Sequence, residues 1–267
     1  MFRLLIATRD PRVEEMFASM EGLGAMGYKA PHLRRSAEEA VLCVRTHHID
    51  AVAVDKDAEF DPLYPVLEKE CRAAPIFPIA DSAQEQLCIL KEVSALLCQL
   101  HADNSDDGYD EAYHLKIARS RWMRKLLSGM APTRDFVLSH LRMYRCVESP
   151  DAPCLYARLA VPAGDSFLSG RWHYGSERLE TALRNFFGEE HDRMTLHVAM
   201  VSPEEIRVLA CPKPEYGDSG DFTAEKLLGY IAETIEQIDH YLGLSMNIID
   251  IRALRNLAAF AADQQQA

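Results

Sequence analysis

The sequence predicts an α/β protein in two parts, a parallel sheet wrapped by helices followed by a helical connector and a smaller α+β layer. Three observations lead there. Short apolar runs alternate with amphipathic ones up to about residue 100, a polar acidic stretch follows, and the last third reads strand, helix, strand, strand, helix, strand. The first pattern suits strands buried on both faces by crossover helices. The second cannot contribute to a core.

Strands are expected at about 2–7, 27–31, 49–54 and 75–80. Asp10 followed by Pro11 marks a helix start, with a capping aspartate and a proline whose missing N–H is not needed there. Val13, Met16, Phe17 and Met20 then share one face. Ser36 and Glu39 form a capping box that opens a helix to about Thr46. A third helix follows Asp61-Pro62, and one long helical pattern runs from Asp81-Ser82 to about Leu100.

The run His101 to Glu111, H-A-D-N-S-D-D-G-Y-D-E, is the linker. A helix over about 112–128 ends at Gly129, and a second covers about 133–144. The first carries an apolar stripe of Leu115, Ala118, Trp122 and Leu126 among Lys116, Arg119, Arg121, Arg124 and Lys125. Such a helix needs its stripe covered by tertiary or subunit contact; if a second copy of the chain is the cover, Trp122 lies in the interface, and otherwise the stripe meets the plait within the chain. Beyond it, strands are expected at 155–161, 194–201, 206–210 and 246–251. One helix starts at Ser176 with Leu179, Leu183 and Phe186 inward and stops at Gly188; another starts at Thr223 with Leu228, Ile231, Ile235, Ile238 and Leu242 inward and stops at Gly243. A last helix is expected from Arg252 to about Ala262. The order βαββαβ is that of a ferredoxin-like plait. The expected domains are therefore 1–101, a linker 102–111, a connector 112–148, and 149–267.

Composition narrows the function. The 267 residues suit two domains, and 48% apolar with 26% charged residues is ordinary globular composition. A net charge of −12 argues against an extended nucleic-acid surface. The seven cysteines are scattered without any C-x-x-C pair, so buried free thiols are expected rather than zinc. No apolar run approaches the roughly 20 residues that span a bilayer, and no leader pattern opens the chain, so a cytoplasmic location without membrane partners is expected. No G-x-G-x-x-G follows the first strand, which leaves a dinucleotide without its phosphate loop.

The chemistry-bearing residues lie at strand ends. Ile49 to Asp55, I-D-A-V-A-V-D, is an apolar strand that delivers a carboxylate to the edge where open α/β sheets hold ligands. This stretch, with the opening strand Phe2 to Ala7, resembles a response-regulator receiver domain of flavodoxin-like topology, in which Asp55 stands at the phosphoacceptor position. The resemblance implies acidic residues after the first strand to hold Mg²⁺, but the chain has Thr8-Arg9-Asp10. Phosphoryl transfer to a carboxylate needs that metal to bring two anions together. Only Asp10 and Asp55 remain, and Arg9 repels a divalent cation. The fourth strand ends in Ala80 where the family has Ser or Thr, and no later strand carries the family's Lys-Pro pair.

The resemblance extends onward. The plait resembles a degenerate GGDEF-type domain, and Leu126-Leu127-Ser128-Gly129 resembles the segment preceding it in YesN-type response regulators, which carry an AraC-type DNA-binding domain. Where a cyclase has Gly-Gly-(Asp/Glu)-Glu-Phe, this chain has Ser202-Pro203-Glu204-Glu205-Ile206. Both glycines that let the backbone approach a nucleotide are replaced, and proline also removes a donor. Glu204 and Glu205 are then expected as solvated turn residues. Together these imply a non-catalytic regulator without metal or cofactor, a pseudo-receiver joined to a degenerate GGDEF-like domain. It would act as a homodimer, with a histidine kinase or other protein as partner and DNA contacted only through a domain outside this sequence. Two alternatives stand beside it: a receiver that accepts phosphate on Asp55, and a small-ligand or nucleotide sensor built on the plait.

Overall fold

Four parallel strands, β1 (Leu4–Ala7), β2 (His32–Arg34), β3 (Ala51–Val54) and β4 (Ile76–Pro78), form a sheet of order β2-β1-β3-β4. The coordinates are a computed structural model, and the structure describes residues 1–71, 73–101, 111–213 and 223–261. Every residue of β1 and β3 is buried, as expected for central strands covered on both faces. Around the sheet lie α1 (Pro11–Ser19), α2 (Ala37–Thr46), α3 (Leu63–Glu70) and α4 (Ala83–His101). Leu5, Val52 and Val54 pack with Cys43, Val44, Leu63 and Leu67 in one core.

The local start signals work as anticipated. Asp10 caps α1 by accepting from Arg12 N at 2.9 Å, and Ser36 caps α2 by accepting from Glu39 N at 3.1 Å. Glu39 answers by accepting from Arg35 N. The second strand departs from the expected 27–31. That segment makes only a bridge between Phe2 and Tyr28, and the strand proper lies at 32–34. Gly27, at φ +87, turns the chain, and Tyr28 is buried with its hydroxyl donating to Leu90 O of α4 at 2.9 Å. An anchoring side chain there outweighs ladder pairing.

Helices α5 (Glu111–Leu127) and α6 (Arg134–Met143) follow. Gly129, at φ +76, ends α5 in a Schellman arrangement: Gly129 N donates to Leu126 O and Met130 N to Lys125 O. The pair is divided between two compact units. One is Met1–Arg119 with Ser139–Cys146, and the other is Ser120–Leu138 with Val147 onward. Within the first, Glu92 of α4 accepts from Tyr144 at 2.9 Å and meets His140 of α6 at 3.2 Å. Within the second, Trp122 packs on Phe136 with ring centroids 6.0 Å apart. The acidic linker, apart from its end residues, lies outside the described residues.

The second unit holds an antiparallel sheet, β6 (Glu190–His191), β7 (Met194–Ser202), β8 (Glu205–Pro212), β5 (Cys154–Ala160) and β9 (Asn247–Leu254), in the order β6-β7-β8-β5-β9. Its helices are α7 (Gly164–Gly170), α8 (Ser176–Phe187) and α9 (Ala224–Leu242). Leu155, Ala157 and Leu159 of β5 point to a core shared with Leu179, Leu183, Phe187, Ile231 and Ile238.

Several boundaries differ from expectation. The short α7 was not anticipated; its sequence, G-D-S-F-L-S-G, carries no helical period. Ser176 is the first helical residue, and the cap is Gly175 at φ +83 without a side-chain hydrogen bond. On α8 the inward aromatic is Phe187 rather than Phe186, and on α9 Leu227 is buried while Leu228 is 45% exposed. Each difference is confined to one end of its stripe: Leu179 and Leu183 on α8 and Ile231 and Ile238 on α9 are buried as expected, and Phe186, Ile235 and Leu242 pack against the same core. The expected helix from Arg252 does not form. β9 continues to Leu254 because Tyr156, Leu155 and Cys154 pair with Arg252, Ala253 and Leu254, and only a 3-10 turn, Leu257–Phe260, follows. Ladder bonds from this edge strand to β5 override alanine-rich helix propensity.

Candidate functional site

The carboxyl edge of the parallel sheet brings Asp55 and Asp10 to one place, with Thr8 between them. Thr8 is fully buried; its hydroxyl donates to Asp55 Oδ2 at 2.5 Å and accepts from Asp10 N at 3.1 Å. The carboxylate of Asp10 faces the start of α1, where it caps the helix. Asp55 is further fixed by its own N–H, which donates to Ala7 O at 2.9 Å. The side chain that approaches Asp55 is thus a neutral hydroxyl in the role of donor.

The surrounding charges are paired among themselves. Arg9 forms an ion pair with Glu59 of the 3-10 turn Ala58–Phe60, a turn capped by Asp57. Lys56 lies 3.7 Å from Asp81. At the end of the fourth strand, Ala80 offers no hydroxyl, and its N–H donates to Gln86 Oε1 at 2.8 Å. Gln86 is fully buried in the first turn of α4. Among the described residues no group of three or more His, Cys, Asp or Glu is placed to hold a metal.

Sequence reasoning missed Thr8, Glu59 and Gln86. Thr8 was legible as a hydroxyl beside a strand-end aspartate, but a partner for it could not be named before β1 and β3 were paired in register. That register sets Ala7 opposite Val54.

The hairpin Ser202-Pro203-Glu204-Glu205 is tighter than expected. Ser202 pairs with Glu205, so Pro203 and Glu204 alone make the turn. Glu204 is exposed, whereas Glu205 belongs to β8. Its Oε1 accepts from Arg158 Nε and Arg207 Nε, each at 2.9 Å. The hydrogen bond from Arg158 holds the Glu205 carboxyl below its usual range, with partial burial opposing and Arg207 assisting. Glu205 is therefore an ion-paired strand residue rather than a solvated turn residue.

The turn is also closed against the loop after β5. Val161 N donates to Glu204 O at 2.8 Å, and Gly164 packs so close that a Cβ there would lie 1.8 Å from Pro203 O. Backbone thus fills the ground beside the hairpin. Gly164 carried no signal in the sequence, because the requirement comes from a turn some forty residues later.

The stripe Leu115, Ala118, Trp122 and Leu126 is buried within the single chain, each at 4% exposure or less. A second copy is not needed to cover it. On the same helix, Arg124 lies 3.4 Å from the buried Glu180, and Arg119 donates to Tyr144 O. Cys43, Cys154 and Cys211 are buried, but Cys88 and Cys98 are exposed on α4, contrary to the expectation of buried thiols throughout. Among the described residues no helix is long and apolar enough to cross a membrane. No protein-family model matches the chain, and no curated protein matches it.

Proposed function

We propose that the chain is a non-catalytic signal-transduction module. In this reading a receiver-like domain and a ferredoxin-like, degenerate GGDEF-like domain form the regulatory part of a response-regulator-type transcription factor. DNA would be contacted through an AraC-type domain outside this sequence. The observation that carries the reading is the hydrogen bond from Thr8 to Asp55. A phosphoacceptor needs a metal-holding acid at its side, and here a buried hydroxyl occupies that side while Asp10 is committed to capping α1. The parallel order β2-β1-β3-β4 supports the receiver likeness, and the βαββαβ order with β5 between β8 and β9 supports the plait.

The nucleotide-sensor alternative loses support from the hairpin, where Pro203 abuts Gly164 and Glu205 is engaged by two arginines. Regulation would work through changes in domain geometry or partner contacts, with a coupling of about 1–3 kcal/mol in systems of this kind. A homodimer remains the assembly proposed, formed through a surface other than the α5 stripe.

The test is chemical. The protein incubated with Mg²⁺ and acetyl phosphate should gain no phosphoryl group by intact-mass spectrometry. Detection of one such group that Asp55→Ala abolishes would overturn the pseudo-receiver reading.

A further inference from the structure

The face of the antiparallel sheet opposite its helical core α7–α9 carries a cluster of arginines around Glu205. Strand register sets it out. Arg158 of β5 stands directly opposite Arg207 of β8 on one side and Asp250 of β9 on the other. Two residues back along β5, Tyr156 stands opposite Arg252. Because side chains alternate along a strand, Tyr156, Arg158, Glu205, Arg207, Asp250 and Arg252 share this one face.

Within the group, donors outnumber acceptors. Glu205 takes one nitrogen from Arg158 and one from Arg207, and Arg207 also donates to Leu127 O. Among the described residues Arg158 uses only Nε, which leaves its two outer nitrogens for a further acceptor. Arg252 is 57% exposed, lies 3.8 Å from Asp250, and sits over the Tyr156 ring at 5.2 Å. Three guanidiniums face two carboxylates, a local excess of positive charge in a chain of net charge −12.

Tyr156 supplies a second, independent observation. The residue is 98% buried by its neighbours, with Phe260 edge-on to its ring at 5.1 Å, yet its hydroxyl makes no hydrogen bond among the described residues. The hydroxyl oxygen is not among the buried polar atoms of the described residues that lack a partner, so it keeps contact with solvent and can donate outward. Burial raises its pKa and Glu205 adds to this, while Arg207, Arg158 and Arg252 pull the other way. A hydroxyl without a hydrogen bond among the described residues and the outer nitrogens of Arg158 therefore lie on the same face of the sheet.

We propose that this face is a binding site for a small phosphate-bearing molecule. Its phosphoryl oxygens would accept from the Tyr156 hydroxyl and from the outer nitrogens of Arg158 and Arg252, with Arg207 and Glu205 holding Arg158 in place. Phosphate suits the arrangement because it presents several acceptor oxygens in different directions, and guanidinium edges bind such oxygens in pairs. The site lies apart from both the Asp55 edge and the hairpin turn, and it stands whether or not the receiver-like reading does.

The full chain is titrated at constant ionic strength with inorganic phosphate, glycerol phosphate and a nucleoside monophosphate, with chloride as reference, and amide shifts are followed by nuclear magnetic resonance. Saturable binding is expected, with shifts centred on β5 and β9. Arg252→Gln and Tyr156→Phe should each weaken it about tenfold, as loss of a charge-assisted or direct hydrogen bond implies. Arg178→Gln, which removes an exposed arginine over Tyr174, should leave it unchanged. Tighter binding of an ester than of inorganic phosphate, or equal binding of all three, supports the site and assigns its ligand as ester or free phosphate. Shifts no larger than those from chloride, or equal weakening by Arg178→Gln, would overturn it. If Tyr156→Phe does not fold, the exposed Arg252→Gln decides.

Discussion

Replacing Gly164 by alanine tests the closure of the hairpin against the loop after β5. The added Cβ would lie 1.8 Å from Pro203 O and 2.6 Å from Pro203 C. Both atoms are backbone, so no rotamer change relieves the overlap, and the turn or the start of α7 must move by roughly an ångström or more. Forced overpacking of this kind costs about 1–3 kcal/mol. The displacement also breaks the hydrogen bond from Val161 N to Glu204 O, which adds about 1 kcal/mol. Against this, alanine at a helix position gains at most about 1 kcal/mol over glycine, and less at the first turn. The clash wins, with an expected net loss of about 1–3 kcal/mol, or roughly 2 to 12 °C in Tm for a unit of this size. Gly170→Ala is the matched control, because a Cβ at this other end of α7 meets nothing within 4 Å. Thermal unfolding followed by circular dichroism compares the two. Gly164→Ala as stable as the parent, or Gly170→Ala equally damaging, would refute the claim that backbone contact closes the hairpin.

Trp122→Ala should destabilise the antiparallel unit by about 3–5 kcal/mol, as expected for a large aromatic at 2% exposure. Trp122→Glu should unfold that unit rather than release folded protomers; light scattering that shows a folded monomer derived from a wild-type dimer would return the stripe to a subunit interface. Glu205, whose carboxyl is held low by Arg158, contributes stability that is present above its unfolded value near 4.3 and is lost as pH falls through the lower folded value. Denaturant titrations between about pH 6 and 3 should therefore show a decline that Glu205→Gln flattens, and an equal slope in parent and variant would remove the ion pair as its cause.

What the sequence alone determined was local and periodic. The caps at Asp10, Ser36 and Thr223 and the stop at Gly243 are written in residue type, because a short side-chain oxygen or a missing Cβ acts within one turn of where it stands. The alternation of buried strands and amphipathic helices was legible for the same reason, and with it the α/β class and the order of elements in the last third. Faces and ends were less secure. Leu227 in place of Leu228, and a strand continued to Leu254 where a helix was expected, depend on which neighbour is already in position.

Tertiary structure decided the sites. Asp55 and Asp10 were visible as carboxylates at element ends, but only the pairing of β1 with β3 shows that Thr8 satisfies the first while the second turns to its helix. Glu205 read as a turn residue until β5 was laid beside β8 and set Arg158 within reach. Tyr156 and Arg252, about a hundred residues apart, share a face through the same antiparallel ladder. Secondary structure answers to neighbours a few positions away along the chain, whereas a site answers to side chains that only the sheet register brings together.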